Sequence, residues 1–516
     1  MKFECSSVKG LGILTIAFIL SIALRWNGIS SYEGDHFWLN SHVLVTTQIW
    51  DETGFCTYNG NLVLSLPGTY NRHIGIPSFT NFFDEEGYLY YTSYPPLGLW
   101  LPYGIHRILR LSVSNTSIKI WNLLLHYLCV IILYATIKKH QSGDKLAIVL
   151  SLLYLFAPGP LYYQSQIYFS EMLAQLWWFL SLWGYTWSRT ASKKKHHFIF
   201  WLVLSFVFVF TEWLGIFVIG TLGLILLFEK KSIGDLFPLV LGGGIAIIFT
   251  VWQYSQISGW EVLFEQWLLR YSYRSTNLIS SQMFFKEVIV KYPLRMFALL
   301  PILGIGLVLF KKMSYQSLSR PQNIIYLSFF PYLLHTILFR NYSYVHDFSA
   351  LKGGPFWIFL ITWALPNISN SSAIRRLKET SKNKRKNLFK KYRTRSQYWI
   401  LTHKKVLIII FLTIWVMVGI QRFYFYSMVM LPDSGIGSSI KAQIPQKVPV
   451  FMNQVPSLPI IYAAQRNIGE GDSTAVQRWL DKTGHLEAVL VHIEDDSVQS
   501  MEYIYRAKPD CQWHER

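Results

Sequence analysis

Two carboxylates stand two residues apart in Tyr32-Glu33-Gly34-Asp35-His36, just past the first long apolar run. Tyr32, Phe37 and Trp38 frame them with aromatic rings, the half-buried kind of setting that tunes a carboxylate. Asp35 held in this way could act as a general base and take the proton from an attacking hydroxyl. An acid that only solvates the end of a span is the competing reading, and it suits a lone acid better than this framed pair. Glu171, in Tyr168-Phe169-Ser170-Glu171-Met172, is a second candidate. It follows Ala157-Pro158-Gly159-Pro160 at the mouth of a later apolar run, where an ionisable group is a functional candidate by default. Arginine meets phosphate in fork geometry, which singles out Arg72, Arg270, Arg274 and Arg340. Together with Glu33, His73, Tyr94, His346 and Asp347 they make the expected substrate-binding set. Each alone would serve as an interfacial anchor; the argument for the set is that all fall on one side of the apolar runs. No cofactor is expected. His346-Asp347 offers two metal-ligand types without a third, so a divalent cation is left open.

These residues need a scaffold, and the composition says which kind. Of 516 residues 52% are hydrophobic and 15% charged, against about 25% charged in soluble domains. The apolar residues come in repeated long runs, the mark of a membrane protein. The 20 Trp and 31 Tyr suit extensive bilayer interfaces. A net charge of +19 would ordinarily raise nucleic acid as a partner. Here thirteen Lys and Arg against Glu379 are packed between Arg375 and Lys405, and Lys138-Lys139, Lys193 to Lys195, Lys230-Lys231 and Lys311-Lys312 each follow an apolar run. That is positive-inside topology and attraction to membrane lipid, so nucleic acid is excluded.

Apolar length places eleven spans, at 11–24, 118–137, 146–162, 171–188, 198–211, 213–228, 236–252, 294–310, 323–339, 354–369 and 405–426. Alternation from a cytoplasmic N-terminus then puts every basic run inside. It puts the 27–117 loop, 253–293, 340–353 and the C-terminus outside. Leu11 to Leu24 is read as a span, because no small-residue cleavage site follows it. Thr211-Glu212-Trp213 leaves two readings, two short helices about a tight turn or one long helix with a buried Glu212. Trp260, Phe264, Trp267, Leu268 and Tyr271 have helical spacing and imply an amphipathic helix along the membrane surface. Gly242-Gly243-Gly244 suits close helix packing. The chain divides into a membrane domain, 1–426, and an extracytoplasmic α/β domain, 427–516. The latter has a turn at Asp433-Ser434-Gly435, strands at Leu458–Ala463 and Ala488–Ile493, and a helix from Thr474 to Lys482 capped by Asp472 or Ser473. Cys56 and Cys511 are the two cysteines expected outside, where a disulfide between them could persist.

The first loop closes with Tyr90-Tyr91-Thr92-Ser93-Tyr94-Pro95-Pro96-Leu97-Gly98-Leu99-Trp100-Leu101-Pro102. An acid where the first span ends, a long polar loop and then this run resemble the first extracytoplasmic loop of GT-C glycosyltransferases, in particular the protein mannosyltransferase and aminoarabinose transferase branch. The resemblance implies an all-α polytopic bundle in the cell membrane that transfers a sugar, with inversion, from a polyprenyl-phosphate carrier. The acceptor would be a hydroxyl of a protein, lipid or glycan. It also implies Asp35 as the base and Glu171 facing the acceptor. In the aminoarabinose branch a lysine precedes Pro-Pro and faces the lipid phosphate; here Tyr94 stands there, so the phosphate clamp must lie elsewhere. A transporter or lipid flippase is the alternative class. It predicts charges in mid-span or broken helices in matching halves, and Glu212 is the one serious mid-span charge.

Overall fold

The computed structural model describes residues 5–29, 36–66, 82–141, 144–188, 194–229, 233–276, 279–313, 323–369, 412–425, 432–454, 457–483, 485–494 and 497–506. Glu33, Asp35, Arg72, His73 and Cys511 lie outside the described residues, and so does the whole basic 375–405 stretch.

The described part is a polytopic helical bundle. Helix α1 (Cys5–Ile29) is followed by two loop helices, α2 (Trp38–Thr53) and α3 (Leu97–Leu109), and then by the long α4 (Asn115–Gln141). Next come α5 (Asp144–Leu155), α6 (Pro158–Gln166), α7 (Ser170–Ser188), α8 (Lys194–Val209), α9 (Leu214–Phe228) and α10 (Ile233–Ser275). After a short α11 (Ser281–Phe284), α12 (Tyr292–Phe297), α13 (Leu300–Met313), α14 (Asn323–Leu338), α15 (Arg340–Val345) and α16 (Gly354–Ser369) follow. An apolar α17 (Leu412–Phe425) ends the bundle.

Two of the eleven expected spans are broken helices. Pro158 and Pro160 lack the N–H that would continue α5, and the residue before a proline is pushed out of helical geometry. Ala157 accordingly takes ψ 137°, and α6 leaves α5 at 61°. Arg25, buried in α1, donates to the Leu161 carbonyl in α6 at 3.1 Å. The expected 294–310 span bends by 107°, with Ala298 at φ 46°. By length and composition three described helices can cross a membrane, or five if each bent pair is one span. Adding the four shorter apolar helices brings the candidates to nine, so the expected eleven are not reached among the described residues.

Elsewhere the sequence pattern carries through. Thr211-Glu212-Trp213 separates two helices: the Glu212 carboxylate accepts the Leu214 N–H at 2.6 Å and so caps α9. The second half of α10 begins after a break at Ser258-Gly259, with Gly259 at φ 80°. It exposes Trp260, Phe264, Leu268 and Tyr271 and turns Arg270 inward, as an interfacial helix should; Trp267, expected with the exposed set, instead turns inward and donates to Thr92 O at 3.0 Å. Prolines inside helices free carbonyls that distant side chains take up. Pro102 frees Gly98 O, which accepts the Tyr168 hydroxyl; Pro331 frees Leu327 O, which accepts Trp178 Nε1 at 3.4 Å.

Of the three consecutive glycines Gly242 is the one with no room for a side chain: a Cβ would overlap Ser205 Oγ and Leu202 O of α8, whereas one on Gly243 would make ordinary contact with Val209. A Gly242→Val protein is expected to lose about 1–3 kcal/mol by overpacking, seen as earlier thermal unfolding in detergent. Gly244→Val, at a position open to space, should leave the transition in place.

The C-terminal domain holds a four-stranded mixed sheet of order β2-β1-β3-β4, from β1 (Val450–Met452), β2 (Gly469–Glu470), β3 (Glu487–Glu494) and β4 (Ser497–Tyr505). Three helices pack on it: α18 (Pro432–Gln443), α19 (Leu458–Ala464) and α20 (Ser473–Thr483). The strand expected at Ala488–Ile493 and the helix from Thr474 are present, and Asp472 Oδ1 caps the latter through Ala475 N at 2.7 Å. Two expectations are overturned. Asp433-Ser434-Gly435 is the first turn of α18, opened by Pro432. Leu458–Ala463 is helical, not a strand, because Ser457 caps it and Pro459 suits a first turn. The domain docks on the first loop: Ile461 is buried with Val45 and Ile49 of α2. Asn467 also exchanges two 2.8 Å hydrogen bonds with the Leu66 backbone.

Candidate active site

Pro95-Pro96 starts α3, with Pro96 at its cap, and this aims the preceding Tyr94 into the bundle. The Tyr94 hydroxyl donates to Oε1 of Glu171 in the first turn of α7. Tyr342 of α15 donates to the same oxygen at 2.5 Å, and the two phenol oxygens lie 2.6 Å apart. Three chain segments thus converge on one buried carboxylate. Oε2 of Glu171 has no hydrogen-bond partner among the described residues. The Tyr94 phenol is held well above its ordinary pKa, by burial first and then by the Glu171 charge, so it stays a proton donor.

Arg274 closes the cluster on the α10 side. Its guanidinium lies 5.1 Å from the centre of the Tyr342 ring and 5.6 Å from that of Tyr94, a cation–π arrangement that leaves its N–H groups for another acceptor. Arg270, one turn earlier, donates to Ser93 Oγ and faces the Tyr91 ring at 5.5 Å. Burial pulls the Arg270 guanidinium down to about 10, still protonated at neutral pH. Both arginines line a cavity of ≈ 290 Å³ whose other walls include Trp213, Phe217, Trp267 and Phe339. An apolar slot with two cations along one wall suits an amphiphile with an anionic head.

Behind Tyr342 sits a buried polar trio. Lys352 Nζ lies 2.8 Å from His335 Nε2, 3.4 Å from Glu212 Oε1 and 5.5 Å from the centre of the Tyr342 ring. Glu212, expected in mid-span, thus lies in the turn between α8 and α9 and is a paired charge. Asp347 gathers a further set: Tyr163 donates to Oδ1 at 2.8 Å, His36 Nε2 is 3.2 Å from it, and Arg295 pairs with Oδ2 at 2.8 Å. Burial works to raise the Asp347 carboxyl, but the His36 hydrogen bond and the His36 and Arg295 charges outweigh it and hold it below the usual carboxylate range. His346 is pushed down to about 3, by burial first and then by His36 and Arg274. At neutral pH it adds a ring, packed 4.6 Å from that of Tyr342, and no cation.

The structure therefore brings Tyr94, Glu171, Arg270, Arg274 and His346 together and places Asp347 beside His36. Arg340 is turned elsewhere, donating to Ile279 O at 3.1 Å and covering the Phe284 ring at 4.7 Å. Sequence reasoning passed over Tyr342, Ser93, Tyr163 and Arg295. Tyr342 alone had a signal, its place in the polar Arg340–Asp347 stretch. No group of three His, Cys, Asp or Glu side chains among the described residues is arranged to hold a metal.

No protein-family model matches the chain, and no curated protein matches its sequence. Solved structures do. ArnT from Cupriavidus metallidurans bound to undecaprenyl phosphate superposes with a TM-score of 0.56 at 13% identity, over 95% of this chain and 93% of that one. The chain shares the fold of this ArnT structure. The apo form of ArnT gives a TM-score of 0.57 at 14% identity, over 94% and 93% of the two chains. The archaeal oligosaccharyltransferase AglB from Archaeoglobus fulgidus, in complex with an inhibitory peptide and a dolichol-phosphate, gives 0.54 at 10% identity, over 93% of this chain and 69% of AglB. In this chain the loop between α1 and α4 carries α2 and α3, and its last residues, Ser93 and Tyr94, reach Arg270 and Glu171.

Proposed function

We propose that this chain is a membrane glycosyltransferase that moves a sugar from a polyprenyl-phosphate-linked donor to an acceptor hydroxyl of a protein, lipid or glycan, with inversion. The observation that carries the reading is the apolar cavity flanked by Arg270 and Arg274, which opens beside the Glu171–Tyr94–Tyr342 cluster. It occurs in a fold shared with a protein bound to undecaprenyl phosphate. The prenyl chain lies along Trp213, Phe217 and Phe339, and the phosphate meets the two guanidiniums.

Asp35 takes the proton from the acceptor hydroxyl as its oxygen attacks the anomeric carbon. The bond from that carbon to the phosphate oxygen breaks, and the phosphate leaves with the electron pair, its added charge met by Arg270 and Arg274. Glu171 Oε2, held by the two phenols on Oε1, accepts from a hydroxyl of the reacting sugars. Glu33, Arg72 and His73 extend the binding surface from the first loop. The reaction needs no cofactor in this reading. The deciding assay is transfer of radiolabelled sugar from polyprenyl-phosphate donors by membranes containing the protein. Wild-type membranes inactive with hexose, N-acetylhexosamine and pentose donors would sink the reading and favour a flippase.

The same reading places the N-terminus in the cytoplasm and the site and C-terminal domain outside the cell membrane. Single cysteines introduced at 260–271 or 473–483 are expected to react with a membrane-impermeant reagent in intact cells, and cysteines at 375–400 to react only after lysis. Labelling of 375–400 from outside would overturn that orientation.

A further inference from the structure

Four polar atoms at the packed faces of α7 and α14 have no hydrogen-bond partner among the described residues: Glu171 Oε2, Gln175 Oε1, Gln175 Nε2 and His335 Nδ1. Their side chains are deeply buried, Glu171 at 2% exposure, Gln175 at 1% and His335 at 4%. Gln175 is one turn along α7 from Glu171, so both project from the same face of that helix. Contacts at either end show what this face meets. Glu171 is bonded to Tyr342, just beyond α14, and Trp178 reaches the Leu327 carbonyl within α14. Gln175 falls between these two contacts. His335 lies two turns from Leu327 on the same stripe of α14, with its ring 6.0 Å from that of Tyr342.

A buried primary amide with neither end paired forfeits its hydration without return. A ligand that supplies the partners must both donate and accept at close spacing. A prenyl chain does neither. A phosphate offers no donor to Gln175 Oε1 and would face the Glu171 carboxylate. A ring carrying several hydroxyls can donate to Glu171 Oε2 and Gln175 Oε1 and accept from Gln175 Nε2. We propose that Gln175 is a specificity-determining residue that, with Glu171 Oε2, binds hydroxyls of the transferred sugar. The inference rests on the reading that a sugar-bearing lipid enters this site.

The test uses the full chain in lipid nanodiscs, with thermal unfolding followed on adding bare undecaprenyl phosphate or the same carrier bearing a hexose, an N-acetylhexosamine or a pentose. Wild type should gain a larger shift with one sugar-bearing lipid than with the bare carrier. Gln175→Leu should keep the carrier's shift and lose the excess. Gln175→Met, unbranched and uncharged, is the second variant should leucine pack badly, with the same expectation. In turnover, a site built to bond a hydroxyl rejects the analogue lacking it by roughly 10⁴-fold. Gln175→Leu should shrink that discrimination at least tenfold for the deoxy donor lacking the contacted hydroxyl, and leave it unchanged for other positions. Retention of the excess shift in both variants, or an equal fall in transfer for every deoxy donor, would overturn the proposal. So would a wild type that distinguishes no sugar from the bare carrier. A wild type that distinguishes sugars in binding yet transfers none would instead sink the transferase reading and leave this one standing.

Discussion

Asp35→Asn is expected to lower transfer by about 10²–10⁴-fold, the usual contribution of a positioned acid–base group. Asparagine keeps the size and much of the hydrogen bonding of aspartate and removes only the proton acceptor, so insertion, folding and binding of the lipid donor should survive. The effect should fall on kcat with the KM for donor little changed, because the lost interaction belongs to the transition state. Glu33→Gln should be milder, since Glu33 matches no catalytic position of the GT-C pattern. The measurement is transfer of radiolabelled sugar by membranes carrying each variant at equal protein level. Near-wild-type rates from Asp35→Asn would show that another group takes the proton.

Arg274→Gln is expected to raise the KM for donor by about 10–100-fold, as the loss of one charge-assisted hydrogen bond, about 1.5–3 kcal/mol, would dictate. Glutamine still reaches toward Tyr94 and Tyr342 but cannot neutralise a phosphate. Arg274 is the sharper of the two arginines to test. Arg270 is committed to Ser93 and Tyr91, and its loss would also disturb the end of the first loop. Bare polyprenyl phosphate should inhibit wild type and lose most of its potency against Arg274→Gln. Unchanged inhibition would move the phosphate to another part of the cavity.

Much of the architecture is written in spacing. The second half of α10 was legible as a helix because its aromatic residues recur at helical intervals, but Trp267 faces the same cavity as Arg270 and Arg274. Pro95-Pro96 suits the start of a helix, and α3 begins directly after it. The segment Leu458–Ala463 shows the limit. A short apolar run has no period long enough to separate strand from helix, and the capping Ser457 and Pro459 were the features that mattered.

From the sequence alone came the membrane class, the basic stretches that follow apolar runs, the acid at the end of the first span and the departure at Tyr94 from a lysine-bearing pattern. These depend on local composition and on neighbours in the chain. Only the tertiary structure decided what Tyr94 and Glu212 meet. Tyr94 turns to Glu171, 77 positions away, and to Tyr342, 248 away. Glu212 is paired with Lys352 across 140 residues, and the amide of Gln175, without a partner among the described residues, lies in a helix whose sequence past Glu171 is largely apolar. Partners brought together by packing leave no mark in a local pattern, because burial and the choice of partner are set by which faces of distant helices come together.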